Sequence, residues 1–359
     1  MSRIITPGTV VNPLDNPMRP IKKSELQSQF VGLSFPTRLV PVALDPRKLA
    51  LAGDGTASAG EILVSIDSPI RVQARFLGNN NGTVKIGDAS RKDDMLIQHV
   101  YGIMCELLRT SPSLMIDVDG SAVPKHSGFG SNGAKIGAIA AAINELYGRP
   151  IADNDLIKYC VTNYVEQMKD GSLMQNTCVG GSVATGLSEG GIMVVAGRGT
   201  PIGKANYQGH AIVGRPDRES MSSEDMTQWE HENFAKEKPD ADAFAHQLDY
   251  NMLHEGLPGL AQNDIRPIAR IAADYGTSDS AHPIAFAGAR ERYREMLPHL
   301  QGASDMSGTT SVSDTYFALT NNPEKEDRVM EVFQSHKLKT SKVPVCNTTY
   351  TVTDREGLE

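Results

Sequence analysis

The run Pro124-Lys125-His126-Ser127-Gly128-Phe129-Gly130-Ser131-Asn132-Gly133-Ala134 constrains this chain more than any other segment. It leads straight into a helical pattern. Ile136, Ile139, Ala140, Ile143, Leu146 and Tyr147 fall on one face, and Gly148 and Pro150 end the run. Gly128 and Gly130 carry no Cβ, so their backbone can approach a ligand closely. The first-turn amides from Ser131 to Lys135 have no acceptor inside the helix and carry the positive end of its dipole. Such a loop suits phosphate or diphosphate. Lys135 opposes the dipole in the first turn, and a bound polyphosphate reverses that sign. An ordinary glycine turn with a solvated lysine has the same spacing.

Around this loop the chain reads as two lobes. Residues 1–30 are rich in Pro, Asn and Ser and predict an extended arm. Residues 31–205 form the lobe with the glycine loop, and residues 206–359 form a second lobe. Strands are predicted at Phe30–Leu44, Glu61–Ile66, Ile70–Leu77, Ser113–Val118 and Ile192–Ala196, and helices at Lys92–Leu108 and Asp153–Lys169. Val179–Gly191 reads as a second glycine-rich loop. The second lobe opens on a strand near His210–Gly214 and runs through helices at Glu224–Lys236, Ala241–Leu257, Gln262–Tyr275 and Ala287–Leu300. It closes with strands at Ser304–Thr310 and Thr315–Thr320, a helix at Glu324–Ser335 and a strand at Val343–Val352. Strands and helices mix without a regular βα alternation, which favours an α+β fold.

Composition excludes several function classes. A net charge of −8 disfavours a general nucleic-acid binder, while leaving room for one basic pocket. The apolar windows Gly133–Ile143 and Ile192–Ala196 are too short to span a bilayer, so no membrane association is expected. Met1–Pro20 lacks the apolar core of a secretory signal. Cys105, Cys160, Cys178 and Cys346 are scattered without a Cys-x-x-Cys pair, and the histidines show no zinc spacing. Reduced thiols in a cytoplasm fit this pattern. Gly199–Ala205 looks like a phosphate loop but has three spacer residues, and Ala205 stands where Ser or Thr is needed. Asp117-Val118-Asp119 could hold Mg²⁺ or simply be a solvated strand end.

Pro-x-x-x-Gly-x-Gly-Ser-x-x-Ala resembles the second motif of the GHMP kinase superfamily, which includes galactokinase and the homoserine, mevalonate and phosphomevalonate kinases. The match is closer to β-ribofuranosylaminobenzene 5′-phosphate synthases and the related formycin-type C-nucleoside synthases. The resemblance rests on four ordered segments: Ser34–Asp45, Pro124–Ser131, Gly180–Gly191 and Gly302–Leu319. It implies a GHMP-kinase-like two-lobe α+β fold, with a ribosomal S5 domain 2-like first lobe and a ferredoxin-like second lobe. Two departures stand out. Val195-Ala196-Gly197-Arg198 replaces the Asp-Gly-Gly-His run of synthases that use benzoates. Ser311-Val312-Ser313-Asp314 stands where those synthases have a tryptophan. Both suggest an acceptor more polar than a benzoate. The region Thr177–Ser182 has no carboxylate where the kinases place an acidic catalytic residue.

The resemblance implies a decarboxylating C-ribosyltransferase that uses 5-phosphoribosyl 1-pyrophosphate, an aromatic carboxylate and Mg²⁺, in a homodimer. The runner-up is an ATP-dependent small-molecule kinase. Ser127, Gly128, Gly130, Ser131, Asn132 and Lys135 are expected to hold pyrophosphate. His126 contacts donor or acceptor, and Arg38 binds a phosphate or carboxylate with its planar fork. Thr309, Thr310 and Ser311 close the site from the second lobe, and Thr177, Ser182 and Arg198 lie on the acceptor side. No metal ligand is assigned.

Overall fold

In a computed structural model of the chain, the β-branched runs before Leu44 and after Gly60 each form one strand of 17 residues. The structure describes residues 4–11, 23–44, 60–124, 127–176, 179–218, 221–234, 241–281, 285–286 and 288–357. The side chains of 89, 198, 223, 227, 230, 231 and 234 lie outside that description. The first part comprises β1 (Ile4–Ile5), β2 (Ser28–Leu44), β3 (Gly60–Phe76), β4 (Val84–Ile86), α1 (Asp94–Leu108), β5 (Leu114–Asp119), α2 (Ser131–Leu146), α3 (Asp153–Thr162), β6 (Val165–Gln167), β7 (Leu173–Gln175), α4 (Gly181–Leu187), β8 (Ile192–Ala196) and β9 (Thr200–Ala205). The second comprises β10 (His210–Pro216), α5 (Ser223–Phe234), α6 (Ala241–Asn251), α7 (Leu257–Ala261), α8 (Arg266–Thr277), α9 (Ala289–Gln301), β11 (Met306–Thr309), β12 (Tyr316–Thr320), α10 (Pro323–Ser335), β13 (Leu338–Pro344) and β14 (Thr351–Gly357).

The main sheet runs β14-β2-β3-β5-β4, with β8 on the other half of β3 and β9 on β8. A four-stranded antiparallel sheet, β11-β12-β10-β13, forms the second lobe. Two prolines interrupt the β2 ladder. Its register against β3 shifts between Phe35 and Thr37 and again between Leu39 and Val42, where Pro36 and Pro41 lack the N–H a ladder needs. β14 covers the opposite edge of β2 only as far as Ser34. Beyond that point the edge of β2 is open to loops, and the site is built there.

α2 is buried almost all round, as a helix in the middle of a lobe must be. Gly137 of α2 and Gly186 of α4 make room for Phe35. A Cβ on either would stand 2.7 or 2.3 Å from the phenyl Cζ.

Several elements depart from the sequence reading. β3 is continuous where two strands were expected, because Thr37 Oγ1 donates to the Ser68 carbonyl at 2.8 Å and stitches the Asp67–Pro69 irregularity to its neighbour. The helix expected to reach Lys169 stops at Thr162, and Val165–Gln167 is a strand. The glycine segment after Val179 is no loop throughout, since Gly181–Leu187 is a wholly buried helix. Small residues let it pack, and burial rather than propensity holds it. The expected strand at Val343–Val352 is two strands, and β14 returns to the first sheet. Part of the expected extended arm is docked: β1 pairs with β7, and Val10 and Val11 are buried. Among the described residues no helix is long and apolar enough to cross a membrane.

Candidate active site at the mouth of α2

The glycine loop lies against the open edge of β2. Phe129 accepts a hydrogen bond from the Arg38 amide at 3.3 Å. Gly128 and Gly130 have φ of 75° and 66°, the left-handed region where a side chain is strained. Space is short as well: a Cβ on Gly130 would stand 2.3 Å from Ser182 Oγ and 2.9 Å from Arg38 Nε. Gly130 caps α2 without a side-chain hydrogen bond, so no side chain of the cap residue competes for the first-turn amides.

The second lobe clamps this loop. Thr310 Oγ1 donates to the Gly128 carbonyl at 3.1 Å and accepts from the Val40 amide at 2.9 Å. Ser311, with φ of 55°, donates its amide to the Val40 carbonyl at 2.8 Å. Thr310 is buried and braces the loop from behind, while Thr309 is buried at the end of β11, paired with Tyr316. Arg38 braces it from the side. Its Nη1 donates to the Gly128 carbonyl at 3.0 Å, while Nε is buried with no partner. An orphaned buried donor costs about 1–3 kcal/mol. Among the described residues one guanidinium nitrogen is therefore spent on the loop backbone, and Nε is left as an unmet donor beside the loop.

Two polar pairs lie beside the mouth. Lys135 Nζ donates to Asp93 Oδ1 at 2.8 Å, with both side chains 12% exposed, and Asp93 Oδ2 has no partner. Lys135 therefore neutralises a buried aspartate. Asn132 Nδ2 donates to Glu166 Oε2, and the Tyr164 hydroxyl donates to Glu166 Oε1. Burial raises the Glu166 carboxyl above its ordinary range, against the opposing pull of Tyr164, Asn132 and Lys135. Sequence reasoning missed Glu166 because it assigned this stretch to a helix, and a strand of three residues carries no periodicity to expose it.

The start of α4 is already occupied. Glu61 Oε1 accepts from the Gly181 amide at 2.6 Å. Ser182 is 3% exposed and packs under the loop against Gly130 and Gly133. The sequence grouped Ser182 with Thr177 and Arg198; the structure sets it at the α2–α4 contact. Ser127 is buried at the loop's entrance, and Ser131 opens α2. Lys125, His126, Thr177 and the Arg198 side chain lie outside the described residues. Among the described residues no group of three or more His, Cys, Asp or Glu could hold a metal ion.

Residues 96–180, which include the loop and α2, match the family described as GHMP kinases N terminal domain. The fold is GHMP-kinase-like. A homoserine kinase from Cytophaga hutchinsonii is 14% identical, with a TM-score of 0.60 over 93% of this chain and 99% of that one. The Methanococcus jannaschii mevalonate kinase is 9% identical, with a TM-score of 0.58 over 89% and 99%. Mevalonate diphosphate decarboxylase from Staphylococcus aureus is 11% identical, with a TM-score of 0.61 over 91% and 98%. At these identities the likeness concerns the GHMP-like fold. A search of curated proteins finds no match.

Proposed function

We propose that the chain is a C-ribosyltransferase of C-nucleoside biosynthesis, a cytoplasmic homodimer. It joins C1 of 5-phosphoribosyl 1-pyrophosphate to a ring carbon of an aromatic or heteroaromatic carboxylate, such as a pyrazole carboxylate. The observation that carries this reading is the division of labour between the two glycine helices. Glu61 fills the start of α4, which leaves the mouth of α2 as the cradle for a diphosphate. The carboxylates of Glu61 and Glu166 are both engaged, the first by the Gly181 amide and the second by Asn132 and Tyr164. Both are committed to these contacts, unlike the free carboxylate base that base-assisted phosphoryl transfer needs.

The reaction needs none. The C1–oxygen bond to pyrophosphate breaks as C1 bonds to the ring carbon that bears the carboxylate. The bond to CO2 then breaks, and its electron pair restores the aromatic ring. Pyrophosphate and CO2 leave, and no proton is transferred. The loop amides take the leaving charge, and the Arg38 and Thr310 braces hold them in place beforehand. Both Glu166 oxygens are already engaged by Asn132 and Tyr164, so a Mg²⁺ ion would rest on diphosphate oxygens and water rather than on this carboxylate. The ion would neutralise charge on the leaving group.

The runner-up is a small-molecule kinase using ATP, favoured by the match of residues 96–180 to GHMP kinases. Thermal unfolding with Mg²⁺ and either phosphoribosyl pyrophosphate or ATP separates the two. A rise in Tm with phosphoribosyl pyrophosphate, and a ribosylated product by mass spectrometry from a panel of hydroxybenzoates and pyrazole carboxylates, is the expected result. Stabilisation by ATP alone overturns it.

A further inference from the structure

Beside the clamp the second lobe carries an arginine that donor binding leaves unused. The loop from Thr310 to Thr315 edges the glycine loop: a Cβ on Gly128 would stand 2.9 Å from Thr310 Cγ2 and 3.0 Å from Ser313 Oγ. Ser313 Oγ donates to the Thr310 carbonyl at 2.7 Å, which closes the turn. The next residue, Asp314, is 7% exposed and accepts from Arg218 Nη2. The Arg218 guanidinium lies over the Phe286 ring, 4.3 Å from its centroid. The Ala285 amide donates to the Val312 carbonyl at 2.9 Å and ties the Phe286 segment to the same loop. The Arg218 side chain is nonetheless 49% exposed, and among the described residues its Nε and Nη1 make no hydrogen bond.

We propose that Arg218, stacked on Phe286 and steadied by Asp314, binds the carboxylate of the acceptor, with Phe286 walling the space for its ring. The inference rests on the reading of the chain as a transferase acting on a planar carboxylate. The chemistry matches the ligand class. A guanidinium fork fits a carboxylate in two-point geometry, and its stacked plane fits a flat molecule. A chain of net charge −8 needs a local cation to attract an anionic acceptor. An ordinary surface ion pair would have both partners in water; here the anion is buried and the cation reaches out.

Asp314 has a second role in this arrangement. A tight grip on the carboxylate would oppose loss of CO2, since the negative charge leaves that group in the transition state. Asp314 competes for Arg218, so the grip stays loose and the guanidinium returns to its own partner as CO2 departs. Arg218 sets acceptor affinity, and Asp314 keeps that affinity from slowing the chemistry.

The test compares wild type, R218Q, R218K and D314N, using phosphoribosyl pyrophosphate with Mg²⁺ as donor probe and 4-hydroxybenzoate and a pyrazole carboxylate as acceptor probes, each beside its carboxamide. R218Q should keep the donor-induced rise in Tm, raise the acceptor KM about 10- to 100-fold and lose the preference for carboxylate over carboxamide. R218K should recover part of that preference. D314N should lower both KM and kcat. An unchanged acceptor KM and preference in R218Q overturns the proposal, as does a wild-type chain that binds neither carboxylate. If the donor probe fails to stabilise the chain, the C-ribosyl reading falls on its own. Calorimetric titration of the same carboxylates into wild type and R218Q still decides the role of Arg218.

Discussion

The Thr310 hydroxyl donates to the Gly128 carbonyl at 3.1 Å, across 182 residues of sequence, and takes the Val40 amide at 2.9 Å. One side chain of the second lobe thus joins the glycine loop to the edge of β2. Replacing Thr310 with Val keeps the shape and removes both bonds, leaving the Val40 amide buried and unpaired. The expected loss is about 1–3 kcal/mol, read from the urea midpoint. Thr310→Ser should recover most of it. Because the Gly128 carbonyl keeps Arg38, the loop should loosen without collapsing, and the donor-induced rise in Tm should shrink in T310V.

Gly130→Ala places a methyl against Ser182 and Arg38 at a φ of 66°. The backbone strain amounts to about 1–2 kcal/mol, and overpacking adds about 1–3 kcal/mol. Binding of phosphoribosyl pyrophosphate or ATP should vanish while circular dichroism keeps its native shape. The double variant G130A/S182G relieves the 2.3 Å contact but not the φ, so it should regain stability without regaining binding. Full return of binding in the double variant would show that sterics alone hold the loop.

The loop, α2 and the open stretch of β2 were legible because each is written in contiguous residues: glycine spacing, a one-sided apolar pattern, a β-branched run. What was hidden depends on distant partners. Gly181–Leu187 has the composition of a loop and becomes a helix only because every residue of it is buried. Glu166 matters through Asn132, 34 residues away, in a strand three residues long that no periodicity reveals. Lys135 is legible as a charge that opposes the dipole. Its partner Asp93 belongs to the turn before α1, and no local pattern connects the two.

Glu166 predicts a specific pH dependence. Burial raises its pKa in the folded state, so the native chain holds the proton more tightly than the unfolded chain. Its contribution to stability is in place below the ordinary carboxylate value of about 4.3 and is lost as pH rises through the higher native value. In the absence of Mg²⁺, wild type should therefore lose stability relative to E166Q as pH increases. Urea midpoints of the two proteins between acid and neutral pH measure the difference. A wild type that instead gains on E166Q would mean that the carboxylate is ionised and stabilised by Asn132, Tyr164 and Lys135.

Lys135 separates a structural ion pair from a phosphate ligand. Its ammonium sits 2.8 Å from Asp93 Oδ1, and Asp93 Oδ2 is already without a partner. K135M would leave a buried carboxylate with nothing on either oxygen, at a cost of about 3–5 kcal/mol. D93L/K135M removes the charge together with its partner and should restore much of that loss, so the double-mutant cycle should show strong coupling. In the restored background the donor-induced rise in Tm should persist, because the α2 amides do the gripping. A K135M protein of unchanged stability that no longer responds to phosphoribosyl pyrophosphate or ATP would place the ammonium on the phosphates instead.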